Sequence, residues 1–446
     1  MAKRDNHKLL TEGPVSKAIL ALALPACISM LVTSIYSIVS TFYVGRISTQ
    51  ATAAVGVSFS AMSVIQALGF MFGQGSGNYI SRELGARHIK NSEQMAIVGL
   101  VHSLLCGIVL GIAGLLCLRP LSILLGSTPT ILPDTMSFLS YVLIASPFIM
   151  GSIVLNNQMR FQGNASYAMW GIISGALLNI VLAPILIFVL HMGIRGAGIS
   201  TLVGQAFGFL VLLLMYRKAD DLKLSLRNFV WGHGHFKEIL AGGTPSLTRQ
   251  GLASISIALL NNAAGVYGDE AIAGMSIVAR IAFIFLAVTI GLGHGFQPLC
   301  GFSYGAGLYG RVRKGYGFVL RLGTAIMLVF AALGLIFPEA MVGFFRNDPK
   351  VIEVGAAALR WQMVTLPLVP LVMYTNMILQ TTRHPWEANI MAMSRNGLFF
   401  IPIILILPRL LGLSGVEMAQ AVADAMSAIL AAIVIVRFFR KLPKES

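Results

Sequence analysis

Residues 73–86 read Gly73-Gln-Gly-Ser-Gly-Asn-Tyr-Ile-Ser-Arg-Glu-Leu-Gly85-Ala86, and residues 293–306 read Gly293-His-Gly-Phe-Gln-Pro-Leu-Cys-Gly-Phe-Ser-Tyr-Gly305-Ala306. The Gly-x-Gly and Gly-Ala pairs return at one fixed displacement, Gly73 matching Gly293 and Gly85 matching Gly305. At that displacement Pro25 meets Pro245, Pro129 meets Pro349, Pro147 meets Pro367 and Asn156 meets Asn376, while Pro120/Pro338 and Pro184/Pro402 fall two residues short. Glycine and proline set close approaches and bends of the backbone, so their recurrence marks a duplicated chain. A pair of pseudo-symmetric helical bundles can open first to one side of a bilayer and then to the other, which points to transport.

The chain has 446 residues, 56% hydrophobic and 11% charged. Apolar runs of ~20 residues, each enough to cross a ~30 Å hydrocarbon core, recur along its length. The repeat accommodates six spans per half. They are expected near 16–41, 51–78, 94–118, 135–158, 167–190 and 197–216, then 238–264, 271–300, 316–338, 351–378, 388–408 and 415–436. The fold class is therefore an all-α membrane protein of twelve transmembrane helices in two six-helix bundles. The division is residues 1–216, a linker at 217–237, and residues 238–446. Six is even, so the repeat is parallel, related by an axis along the membrane normal.

Orientation follows from Lys and Arg. The termini and even-numbered loops carry 21 of them, the odd-numbered loops six. The positive-inside bias then places both termini in the cytoplasm of a multi-pass plasma (inner) membrane protein. It also accounts for the net charge of +15 without a nucleic-acid partner. The four cysteines, Cys27, Cys106, Cys117 and Cys300, lie in or beside apolar segments without metal-ligand spacing. The first apolar run is too long for a signal-peptide core and is kept as a span. No Gly-x-x-x-x-Gly-Lys-[Ser/Thr] phosphate loop occurs, so ATP is not the expected energy source, and neither cofactor nor metal is expected.

The glycines of residues 73–77 close a membrane helix and read as close helix packing. His233 and His235 lie in the linker without further ligands and read as loop residues. Pro25 and Pro245 sit inside spans, where a proline permits a kink or hinge.

Ionisable groups inside a bilayer are costly unless they face a cavity or a partner. Among the 17 carboxylates only Asp424 falls mid-span, with Glu417 nearer the end of the same helix. Arg249, Arg280, Arg360 and Arg395 are the membrane cations, Arg321 lying nearer a span end, and all are in the second half. Arginine stays protonated, so none carries the proton itself; Arg395 and Arg249 are the expected partners of Asp424 in cation coupling. Tyr36, Ser40, Asn156, Asn157, Asn179, Thr201 and Gln205 are neutral polar groups that line a cavity or bond between helices. Met275 and Phe283 supply apolar substrate contacts.

Tyr43-Val-Gly45, Gly85-Ala-Arg87, Arg160-Phe-Gln-Gly-Asn164, Leu178-Asn179 through Pro184 and Gly193-Ile-Arg-Gly-Ala197 carry a resemblance in the first half. Gly242-Gly-Thr-Pro245, Gly268-Asp269, Ala279-Arg280, Gly295-Phe-Gln-Pro298 and Ser303-Tyr-Gly-Ala306 continue it in the second. Together they resemble the multidrug and toxic compound extrusion family across essentially the full chain. The resemblance implies a V-shaped pair of six-helix bundles that exports drugs and other organic cations in exchange for sodium ions or protons. The chain departs from the family pattern where carboxylates are usual. It reads Ile38-Val-Ser40-Thr-Phe in the first span and Asn179-Ile-Val-Leu-Ala183-Pro184 in the fifth, with Arg249-Gln250 in the seventh. Coupling is therefore sought at Asp424.

The expected activity is secondary antiport of an organic, cationic compound by a monomer whose partners are its small-molecule substrate and membrane lipid. It is not an enzyme. A lipid-linked saccharide flippase of the same superfamily is one alternative, since Arg249, Arg280 and Arg395 suit a diphosphate head group. A non-transporting membrane receptor or scaffold is the other.

Overall fold

Within a bilayer only a helix or a closed barrel satisfies its own backbone groups, and the long Leu-, Ile-, Val- and Ala-rich runs of this chain form helices. The computed structural model describes residues 6–219 and 222–443. Six long helices make the first half: α1 Val15–Gly45, α2 Thr49–Gly85, α3 Ile89–Leu116, α4 Leu132–Phe161, α5 Ala165–Val189 and α6 Gly193–Ala219. The second half holds α7 His233–Gly265, α8 Asp269–Gly305, α9 Tyr309–Ile336, α10 Pro349–Thr381, α11 Pro385–Leu411 and α12 Leu413–Lys441. Eleven of the twelve are long and apolar enough to span. The exception, α7, carries Lys237, Glu238 and Arg249 among Ser, Thr and Gln residues. It also begins at His233, so His233 and His235 belong to a helix and not to the linker loop. Short helices at Leu118–Leu124 and Pro338–Phe345 start at matching positions of the repeat and occupy segments expected as loops.

The described residues form two compact units, which do not divide at the linker alone. One comprises residues 6–10 and Leu24–Gly243; the other comprises Thr11–Ala23 and residues from Thr244 onward. Each unit thus contains the start of a helix whose remainder belongs to the other. The breaks, after Ala23 and after Gly243, are themselves repeat mates and fall one residue before the prolines at 25 and 245.

The repeated glycines seat these borrowed helix starts. In the first unit a Cβ on Gly75 would lie 2.1 Å from the Ile239 carbonyl oxygen, and one on Gly243 would lie 2.0 Å from that of Met71. In the second, a Cβ on Gly295 would lie 2.5 Å from the Ile19 carbonyl oxygen and 2.6 Å from the Ala23 nitrogen. Both Gly75/Gly295 and Ile19/Ile239 are repeat mates, so the same backbone contact is built twice. Hydrogen on the α-carbon is what permits this approach.

The repeat also shows where one copy tolerates what the other avoids. The turns after α2 and α8 need a left-handed residue; Arg87 supplies it at φ 63° and its mate Gly307 at φ 75°. After α4 and α10 the roles reverse, with Gly163 at φ 91° and Arg383 at φ 63°.

Candidate functional site

Asp424 is held from its own helix and from the next. On α12, Gln420 lies one turn earlier on the same face and donates its amide to Asp424 Oδ1 at 2.8 Å. From α11, Arg395 donates Nε to Oδ1 at 2.7 Å and Nη2 to Oδ2 at 3.2 Å. This two-point fork is the strongest geometry a guanidinium offers a carboxylate. Asp424 is only 4% exposed. Breaking such a buried pair from one side costs about 3–5 kcal/mol, although the intact pair itself roughly balances its own desolvation.

Local backbone irregularity helps position the arginine. Arg395 lies in a π turn, Ser394–Leu398, set within α11. The hydroxyl of Ser256 on α7 donates to the Asn396 carbonyl of that turn, which ties it down on a further helix. Single π turns inside α-helices recur at functional positions because they redirect side chains and free carbonyls. These three donors occupy three of the four or so lone-pair positions of the carboxylate, two on Oδ1 and one on Oδ2.

Arg249, expected as a second partner of Asp424, is not one. Its Nη1 donates to Asn376 Oδ1 at 3.0 Å. Arg82–Glu238, Arg360–Glu339 and Arg395–Asp424 are ion pairs of arginine with carboxylate, whereas Arg249 has none among the described residues. The other end of Asn376 donates to the Ala388 carbonyl at 2.7 Å. Asn156 makes the matching bond to the Ala168 carbonyl at 3.0 Å, donor and acceptor both being the repeat mates of that pair. The repeated asparagines are scaffold, and Arg249 is the added charge. Its mate, Ser29, donates instead to the Pro25 carbonyl of its own helix at 2.9 Å.

The first unit carries no mid-span carboxylate among its described residues. Tyr36 on α1 lies beside Thr201 on α6, whose Oγ1 donates to the Ala197 carbonyl at 2.9 Å. Asn179 is buried beside Gly204, and its Nδ2 has no hydrogen-bond partner. Ser40 and Gln205 are half-buried, and Ala183 is buried. Asn157 is committed: its Oδ1 accepts from Gln74 and Arg160, and its Nδ2 donates to Ile153. Two expected contacts separate sharply, since Met275 is 1% exposed and packed in the core while Phe283 is 54% exposed. Arg280 and Arg321 are exposed.

Gln420 and Ser256 went unrecognised in the sequence. An i, i+4 relation to Asp424 was the available signal for Gln420. Nothing in the sequence announces a π turn, so Ser256 had none. The pairing of Arg82 with Glu238 at 3.4 Å likewise went unrecognised.

Twelve long helices in a parallel repeat, with ionisable and amide groups buried mid-span, define the class of multi-pass membrane transporters. The MatE family model matches residues 25–185 and 245–406, two stretches that start at the paired prolines. The chain belongs to the MATE family of transporters. It is 26% identical over 426 residues to the multidrug export protein MepA of Staphylococcus haemolyticus, covering 95% of this chain and 94% of that one. An outward-facing multidrug resistance MATE transporter of the MOP superfamily superposes with a TM-score of 0.92 at 26% identity, over 99% of both chains. A Pyrococcus furiosus transporter of that superfamily, described as having a binding pocket of reverse polarity, also reaches 0.92 at 25% identity over 100% of both. The matched stretches include Arg395 and stop short of α12 and Asp424.

Proposed function

We propose that this chain is a multidrug efflux transporter that exports organic cations from the cytoplasm in exchange for protons or sodium ions. It acts as a monomer in the plasma (inner) membrane with both termini cytoplasmic. The multidrug export relatives and the bias of Lys and Arg support this reading. One observation carries it: the buried Asp424 is clamped by Arg395 and Gln420. Exporting a positive charge against an inside-negative potential costs about 2.3 kcal/mol per 100 mV, so an ion must return. A returning ion drives the cycle only if it binds one conformation better than the other. At Asp424 that difference comes from competition with Arg395, because the guanidinium and a bound ion share one carboxylate and repel each other while the fork is closed.

The test is drug uptake into everted vesicles, with pH and sodium gradients imposed separately. Asp424→Asn, present at the wild-type level, is expected to lose gradient-driven uptake. Undiminished uptake would remove Asp424 from the mechanism.

Arg249 favours a second reading, a lipid-linked saccharide flippase. A membrane guanidinium bonded only to an amide suits a diphosphate. Ethidium efflux decides between them: a flippase leaves dye accumulation unchanged when the chain is expressed.

A further inference from the structure

We propose that residues 222–231, the segment joining α6 to α7, form a membrane-interface anchor that binds anionic phospholipid headgroups. The segment is fastened to α3 at two points. The Lys223 backbone N–H donates to Glu93 Oε1 at 3.1 Å and the Asn228 amide donates to Glu93 Oε2 at 3.0 Å. Beyond them Phe229 and Trp231, with Phe236 of α7, bring their rings to 6.1, 5.8 and 5.3 Å from the His102 ring on α3.

The depth of His102 shows what surrounds this cluster. Leu105, Ile108, Val109, Ile112 and Leu116 are exposed on α3 at spacings of three and four, the stripe a membrane helix turns toward lipid. His102 is the next position of that stripe. It lies fourteen residues before Leu116, or ~21 Å at 1.5 Å per residue, which is within a ~30 Å hydrocarbon core measured from that end. Its Nδ1 is already engaged by the Val98 carbonyl at 2.8 Å, so the linker rings cover an apolar face of imidazole. By the same measure Glu93, twenty-three residues before Leu116, lies at ~35 Å, outside that core, so the segment held at Glu93 and against His102 straddles the boundary between hydrocarbon and headgroups, the level at which Trp concentrates in membrane proteins.

The outer side of the segment completes the anchor. Leu226, Val230 and Trp231 are 75%, 39% and 76% exposed, a cluster without protein cover. Lys223 and Arg227 are exposed beside it, and residues 217–237 hold five basic against two acidic residues. An apolar edge below a basic one matches a leaflet whose surface is anionic, where each Lys or Arg contributes about five-fold in affinity. Under the topology proposed above that leaflet is the cytoplasmic one, but the anchoring does not depend on this assignment.

The experiment uses the full chain in nanodiscs with Trp231 as its only tryptophan, the exposed Trp170, Trp361 and Trp386 being replaced by Phe. Lipids brominated near the headgroup end of the acyl chain are expected to quench Trp231 strongly and aqueous iodide weakly. With the bromine on phosphatidylglycerol, quenching exceeds that with an equal fraction of brominated phosphatidylcholine. The Lys223→Gln/Arg227→Gln variant abolishes the difference. Quenching by iodide but not by lipid, as for a surface facing water or a soluble protein partner, overturns the proposal. Equal quenching by both lipids overturns its anionic part. Should the triple Phe chain not assemble, 5-fluorotryptophan in the wild-type chain gives the same reading from a paramagnetic lipid, with Trp231→Phe to assign the resonance.

Discussion

Replacing the two charges of the α11–α12 pair separately and together tests whether they form one energetic unit. Arg395→Leu leaves the Asp424 carboxylate, 4% exposed, with Gln420 as its only remaining donor. Asp424→Leu leaves a guanidinium whose side chain is 18% exposed. By the cost of an uncompensated buried charge, the first is expected to destabilise by about 3–5 kcal/mol, and the second by less, because the longer arginine side chain reaches more solvent. The double Leu variant replaces both charges by apolar groups of similar volume, which is close to neutral for a well-packed pair; an orphaned Gln420 amide adds roughly 1 kcal/mol. The coupling energy of the cycle is therefore about 3 kcal/mol or more, far above additivity. Unfolding in mixed micelles, titrated with SDS and followed by tryptophan fluorescence, measures each corner. A double variant that costs the sum of the single ones refutes the pair as a unit. The same protein, stable but without its carboxylate, is expected to show no gradient-driven transport, which separates holding the helices together from coupling.

Three further outcomes follow from the repeat. Gly75→Ala and Gly295→Ala drive a methyl into backbone and are expected to cost roughly 1–3 kcal/mol or more, whereas Gly317→Ala, with nothing within 4 Å, stabilises α9 by up to ~1 kcal/mol. The order of their thermal midpoints checks this. Gly163→Ala, at φ 91° and with the added Cβ 3.1 Å from Asn6, is expected to destabilise by about 1 kcal/mol or more in the same measurement, because the turn there needs a left-handed residue. Asn376→Ala removes a bond to a guanidinium as well as one to a carbonyl, so it is expected to cost about 1.5–3 kcal/mol more than Asn156→Ala, read as SDS midpoints.

Helix number, the parallel repeat and the packing role of the Gly-x-Gly motifs were legible because hydropathy and the placement of glycine and proline are local properties of the chain. Asp424 was legible too, as the one carboxylate deep within an apolar run. Its partner was only narrowed, to Arg395 or Arg249, since choosing between two arginines on different helices depends on rotation about each axis. The π turn at Ser394–Leu398 changes that rotation without any sequence mark. Met275 and Asn157 looked like pocket groups by residue type, but burial and hydrogen bonding across helices decided otherwise. The exchange of helix starts escaped notice for a different reason: the apolar pattern says that a helix is covered and says nothing about which neighbour covers it.

That exchange bears on how the chain can be made. A cut at the linker gives one fragment that carries away Thr11–Ala23, which the second unit needs, and another that carries away the start of α7, which the first unit needs. Neither half-length product is self-sufficient. Each would expose the bare carbonyl-facing glycines of its own seat, Gly75 in one and Gly295 in the other, to lipid. The two fragments together hold every helix start and both seats. In the fused gene every helix start reaches the ribosome's exit in the same molecule as the seat that receives it.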